Sequence, residues 1–114
     1  MHKIILKKPD ENPMIELTKN VGLEYLQKKV DGYIDIVRLP NNIDLVINDE
    51  ALLIDNPQPN FRLFLNGYQH DIYGPVAFTS YNDDGDSIGL SDEQISILAQ
   101  VFKVEHFEEI QFSV

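Results

Sequence analysis

Cysteine is absent from this chain of 114 residues, and so is tryptophan. Without thiols there is no disulfide and no thiolate metal site, which fits a reducing compartment. Long apolar runs are also missing. No stretch approaches the ~18 residues that would suggest a membrane span. The first residues, Met1-His2-Lys3-Ile4-Ile5-Leu6-Lys7-Lys8, hold too short an apolar core for a secretory signal. The expectation is a soluble, cytoplasmic protein. The six glycines are scattered, with no G-x-G-x-x-G or G-K-[ST] string, so a phosphate-cradling loop is not expected.

Basic residues are scarce over most of the chain. Residues 1–38 carry a net charge of +1, while residues 39–114 carry −11, with only Arg62 and Lys103 as cations. A field of that sign repels phosphate backbones and anionic lipid and attracts basic surfaces. Neither nucleic-acid binding nor membrane binding is expected. The acidic part is not a tail, because Val76, Phe78, Ile95, Leu98, Phe102, Ile110 and Phe112 run through it. The length and 43% hydrophobic content suit one core, hence a single domain over residues 1–114.

Periodicity predicts the elements. Residues 2–8 and 14–17 read as strands, joined by a breaker-rich loop. Asn20 is placed to cap a helix over residues 21–30, with Leu23, Leu26, Gln27 and Val30 on one face and Gly32 at its stop. Ile34 and Ile36 alternate with Tyr33, Asp35 and Val37. After a turn at residues 40–42, Ile43, Leu45 and Ile47 continue the pattern, so a hairpin is expected. Residues 49–60 look irregular, and residues 61–65 fit one helical turn or a strand equally. Residues 72–81 read as one strand with Pro75 at an edge or bulge.

The second helix has the fullest signature. Ser91 and Gln94 form a capping box, and Leu90 and Ile95 occupy the staple positions. Asp92 and Glu93 favour the helix dipole, as does Lys103 at the far end. Ile95, Leu98, Ala99 and Phe102 form the buried stripe. Residues 109–114 alternate as a half-buried terminal strand. The class is therefore α+β: two helices with a mostly antiparallel sheet of five to seven strands.

Reactive constellations are hard to find. Asn82-Asp83-Asp84-Gly85-Asp86 invites a calcium reading, but aligning Gly85 to an EF-hand glycine puts Ser80 and Ser91 where carboxylates belong. A turn is the simpler reading. His2, His70 and His106 show no metal-ligand spacing, and no serine stands in a G-x-S-x-G elbow. No metal, no cofactor and no enzymatic activity are expected. Tyr33, Tyr68, Tyr73 and Tyr81 are ordinary strand or loop residues, with interface contact as the other reading.

Five segments resemble, in order, an uncharacterised family, domain of unknown function 3846, found in phages, prophages, plasmids and Gram-positive bacteria. The first, Leu26-Gln27-Lys28-Lys29-Val30-Asp31-Gly32-Tyr33-Ile34-Asp35-Ile36-Val37, is similar to the family's helix end and "G-Y-I-E" strand. Ile47-Asn48-Asp49-Glu50-Ala51 resembles its "x-N-E-E-G" segment, and Pro57-Gln58-Pro59-Asn60 with Phe61-Arg62 its "P-x-N-R" loop. Asp71-Ile72-Tyr73-Gly74-Pro75-Val76 is similar to its "D-x-I-x-G-x-x" strand. Ser87-Ile88-Gly89-Leu90-Ser91-Asp92-Glu93-Gln94 resembles its "S-L-T-D-E-Q" helix start. Asp31 stands where a second glycine is frequent, and Phe61 intervenes before Arg62. The resemblance implies a mobile-element origin and no established activity.

The leading expectation is a non-enzymatic acidic interaction protein of a mobile element. Its role would be a counter-defence inhibitor, such as an anti-CRISPR-type nuclease blocker, that engages a basic protein surface. Asp49, Glu50, Asp83, Asp84, Asp86, Asp92 and Glu93 are the candidate contact residues, concentrated around two predicted loops and a helix start. The alternatives are a small-molecule or nucleotide-binding module, with a pocket between the sheet and loop 55–66, and a domain of accessory function.

Overall fold

Ile4-Ile5-Leu6 is apolar on both sides of a strand, and such a strand has to be covered on both faces. A computed structural model, which describes residues 1–54, 56–102 and 109–112, shows how this is met. The elements in chain order are β1 (His2–Lys7), β2 (Met14–Thr18), α1 (Leu23–Val30), β3 (Ile34–Leu39), β4 (Ile43–Asn48), β5 (Pro59–Leu65), β6 (Tyr68–Tyr73), β7 (Val76–Tyr81), β8 (Ser87–Ile88), α2 (Asp92–Val101) and β9 (Glu109–Phe112).

Six strands form one antiparallel sheet in the order β2-β1-β7-β4-β3, with β8 also paired to β7. A second sheet runs β6-β5-β9, antiparallel between β5 and β6 and parallel between β5 and β9. The α+β class with mostly antiparallel sheets holds.

The period of two sorts the side chains of the large sheet. Ile4, Leu6, Val46 and Ala77 pack with Leu26 and Val30 of α1. Ile5, Leu45, Val76 and Phe78 point the other way and meet Phe61, Leu63 and Ile72 of the second sheet and Leu98 of α2. Phe61, Phe78 and Phe102 lock this layer, with ring centroids 5.4–6.3 Å apart and Phe102 edge-on to both partners.

Several expectations need correction. Gly22, not Asn20, is the N-cap of α1, and it makes no side-chain cap bond. The helix begins at Leu23, which is consequently exposed in the first turn rather than part of the buried face. At the other end Asp31, not Gly32, takes the left-handed conformation, with φ 62°. Residues 72–81 are not one strand. The chain leaves the second sheet at Tyr73, passes Gly74 and Pro75, and enters the large sheet at Val76. Pro75 has no N–H to continue a ladder.

Residues 61–65 are strand, part of the β5–β6 hairpin. Its turn, Asn66-Gly67, has φ of 52° and 84°, the left-handed pair that a tight hairpin turn requires. Asn-Gly is the residue pair that favours such a turn. In α2 the capping box forms, and Leu98 and Phe102 are buried, but Ala99 is exposed and Ile97 packs in its stead. Lys103 lies outside the described residues, as do Ser113 and Val114; the terminal strand is present as β9.

Candidate functional site

The seven candidate carboxylates fall into two groups. Asp83, Asp84 and Asp86 lie in the turn after β7, and Asp92 and Glu93 open α2. Those two stretches meet. Gln94 Nε2 donates to the carbonyls of Asn41 (3.0 Å) and Asn42 (3.2 Å), and to Ser80 Oγ (3.0 Å), so the helix start is pinned to the end of the sheet where β7 finishes. All five carboxylate residues are exposed. Asp49 and Glu50 follow β4, at the opposite end of the sheet. Six residues of strand at about 3.3 Å each separate the ends by roughly 20 Å. That is twice a Debye length of about 10 Å at 0.1 M salt, so the two groups do not act as one patch.

The turn at residues 82–86 closes on itself. Asn82 Oδ1 accepts the N–H of Asp84 and of Asp86, both at 3.0 Å, and Gly85 N–H donates to Asn82 O. The asparagine oxygen therefore clamps the turn; Asp83, Asp84 and Asp86 are exposed around it, and Asp86 Oδ2 faces back to Asn82 Nδ2 at 3.5 Å. Lys3 Nζ reaches Asp92 Oδ1 at 3.1 Å across exposed surface, an interaction worth little in water. Nearby, Arg38 is held by Asp44 at 3.1 Å and lies over the Tyr81 ring, 3.9 Å from its centroid. The Asp44 bond raises the Arg38 pKa further, and the buried Asp44 carboxylate is spoken for by that cation.

The other end of the sheet holds the polar centre that composition did not reveal. Lys7 is only 1% exposed. Its Nζ donates to Lys8 O at 2.7 Å and to Asn60 Oδ1 at 2.9 Å. Asn60 Nδ2 donates to Lys7 O and to Gly74 O, both at 2.8 Å. The asparagine thus ties β1, β5 and the crossover before β7 together. Burial pulls the Lys7 pKa below the ordinary lysine value, with Asp10 and Glu11 pulling it back up. Lys7 has the same strand parity as Ile5, so a lysine in phase with the buried face was the signal available.

Four of the five segments that carry the family resemblance converge here and are joined in pairs. Asn48 Nδ2 donates to the carbonyls of Val30 (3.1 Å) and Asp31 (3.2 Å), finishing α1, while Asn48 Oδ1 accepts Glu50 N–H at 2.8 Å. A Cβ on Gly32 would stand 2.7 Å from Asn48 Nδ2, so a side chain there would push the asparagine away from the Val30 and Asp31 carbonyls. Asn60 and Gly74 join the third and fourth segments, and Gly74 N–H returns to Gln58 O at 2.8 Å. The fifth segment is the capped start of α2, at the far end.

A cleft of about 700 Å³ opens beside this junction. Leu6, Met14, Pro75 and Val76 contribute apolar surface, and Lys8, Lys28 and Lys29 face Glu11, Glu16 and Asp31 around it. A second cleft of about 410 Å³ is lined by Asn60, Phe61, Arg62 and Tyr73. Of the histidines, His2 Nδ1 accepts Gly89 N–H at 3.1 Å, His70 is exposed on β6, and His106 lies outside the described residues. Among the described residues no three His, Asp or Glu side chains stand where they could share a metal ion. Tyr33 and Tyr68 are exposed, whereas Tyr81 is covered by Arg38.

Fold and site together define a two-sheet α+β scaffold with an acidic end and a cleft at its other end. Among the described residues no helix is long and apolar enough to cross a membrane. The chain belongs to the family described as Domain of unknown function (DUF3846), whose model matches residues 1–103. No curated protein and no solved structure matches the chain.

Proposed function

We propose that this chain is a non-enzymatic binding module that engages a basic protein surface through the acidic end built by Asp83, Asp84, Asp86, Asp92 and Glu93. The observation that carries the reading is that the fold gathers these five exposed carboxylates from two separate stretches at one end of the sheet. The −11 carried by residues 39–114 adds a long-range field of the same sign. Such a field speeds encounter with a cationic surface and rejects polyanions. Asp49 and Glu50, at the opposite end of the sheet, stand outside this cluster.

The role that fits this chemistry is inhibition of a host defence nuclease by occupying its cationic channel, with the protein acting for a phage or plasmid. The test is affinity capture from bacterial extract at 0.05 and 0.5 M salt by wild type and by Asp83→Asn/Asp84→Asn/Asp86→Asn. The expected result is a basic protein held at low salt, lost at high salt and not recovered by the variant. Equal recovery by both proteins refutes the reading.

A second reading rests on the cleft of about 700 Å³ beside α1, a size that suits a small ligand such as a nucleotide. It predicts a thermal shift with a small molecule that Lys28→Glu abolishes and the triple Asn variant leaves intact.

A further inference from the structure

Open strand edges invite pairing, and soluble proteins guard them with charge, proline or bulges. The outer strand β3 carries exposed Asp35 and Arg38, and the outer strand β6 carries exposed Gln69, His70 and Asp71. The other outer strand of the large sheet, β2, has no such guard. Its ladder with β1 is unbroken from His2↔Thr18 to Leu6↔Met14. Met14, Ile15 and Leu17 are 52%, 52% and 57% exposed. The strand's single charge, Glu16, is drawn back onto α1 by Tyr25 Oη and by Lys29 Nζ, the latter at 3.0 Å.

We propose that β2 is the interface of a two-fold homodimer, in which it pairs antiparallel with β2 of a second copy and makes one continuous sheet. The occupant follows from self-complementarity. With Glu16 on the two-fold axis, Ile15 stands opposite the partner's Leu17, and Leu17 opposite the partner's Ile15, on one face of the joined sheet. The two Glu16 carboxylates lie on the other face, each turned back onto its own α1 by Tyr25 and Lys29, which lessens the repulsion of like charges placed opposite one another. Charge favours the same occupant. β1, β2 and α1 all lie in residues 1–38, whose net charge is +1, so two copies approach there without confronting the −11 each carries elsewhere. A strongly basic partner finds no field to follow at this edge.

The experiment is sedimentation equilibrium from low to high concentration, up to roughly 100 µM, a range that reveals even weak dimers. Wild type is expected to approach twice 13.1 kDa. Ile15→Lys/Leu17→Lys is expected to stay at one copy, while Tyr68→Lys on β6 behaves as wild type. A measurement on the unaltered protein guards against misfolding of the variant. Amide exchange over residues 14–18 slows as concentration rises, while exchange over residues 34–39 does not. A wild type that remains a single copy throughout overturns the proposal. So does a dimer that survives the double variant, or protection that builds on β3 rather than β2.

Discussion

Replacing Asn60 with alanine removes three hydrogen bonds at one stroke. Two are donations to the carbonyls of Lys7 and Gly74, and one is the acceptance of the Lys7 ammonium. The neutral bonds are worth about 1 kcal/mol each, and the bond to a charged group about 1.5–3 kcal/mol. Lys7 is left buried with Lys8 O as its named partner, and stranding a buried charge is costly in itself. The expected loss is roughly 3–5 kcal/mol, a large part of the 5–15 kcal/mol by which a domain of this size is held folded. Urea unfolding measures it as a lower midpoint at unchanged slope. Lys7→Met alone takes the donor from Asn60 Oδ1 and from Lys8 O, the latter on an exposed residue, and costs about 1–2 kcal/mol. If the two residues work as a pair, Lys7→Met/Asn60→Ala is less damaging than the sum by at least about 1 kcal/mol. A loss below about 1 kcal/mol for Asn60→Ala, or strict additivity in the cycle, refutes the reasoning.

Other outcomes follow from the same geometry. Thr79 Oγ1 is buried with no hydrogen-bond partner among the described residues, so Thr79→Val should raise stability by about 1 kcal/mol in the same titration. Ser91→Ala breaks the capping box and should cost about 1 kcal/mol; Leu98→Ala, at a fully buried site, should cost about 2–5 kcal/mol by urea midpoint. The hydrogen bonds from Tyr25 and then Lys29 hold Glu16 below the ordinary glutamate pKa. Its contribution is therefore complete above pH 4.5 and is lost as pH falls through the folded-state value, so Glu16→Gln should flatten that part of an acid-unfolding profile. Lys7 works at the alkaline side. Between its lowered folded-state pKa and 10.5 the unfolded chain binds the extra proton, stability rises with pH, and Lys7→Met should remove that rise relative to wild type.

How legible this molecule was in its sequence varies by element. The start of α2 was fully legible, because the capping box and the staple are local devices contained in the six residues from Leu90 to Ile95. The β3–β4 hairpin and the burial of Leu45 and Ile43 followed from alternation. The split at Gly74 and Pro75 was not legible as a change of sheet, because a pattern of period two continues on both sides of it. The partition of the carboxylates was hidden for the same reason: sequence proximity says nothing about which end of a strand a loop occupies. Lys7 and Asn60 lie 53 positions apart, and their union depends on β1 and β7 being neighbours, a long-range pairing that no local signal encodes. The family segments were visible as words, but their hydrogen bonds were not, and those bonds show that Asn48, Asn60 and Gly74 hold the architecture together.

In the proposed function, the end of the sheet bearing Asp83, Asp84, Asp86, Asp92 and Glu93 binds a basic partner and the far end does not. The most direct test is the salt dependence of partner capture for wild type, for Asp83→Asn/Asp84→Asn/Asp86→Asn, and for Asp49→Asn/Glu50→Gln, all shown first to unfold at similar urea concentrations. The first variant is expected to lose the salt-sensitive binding and the second to keep it. Loss in the second variant with retention in the first would contradict it.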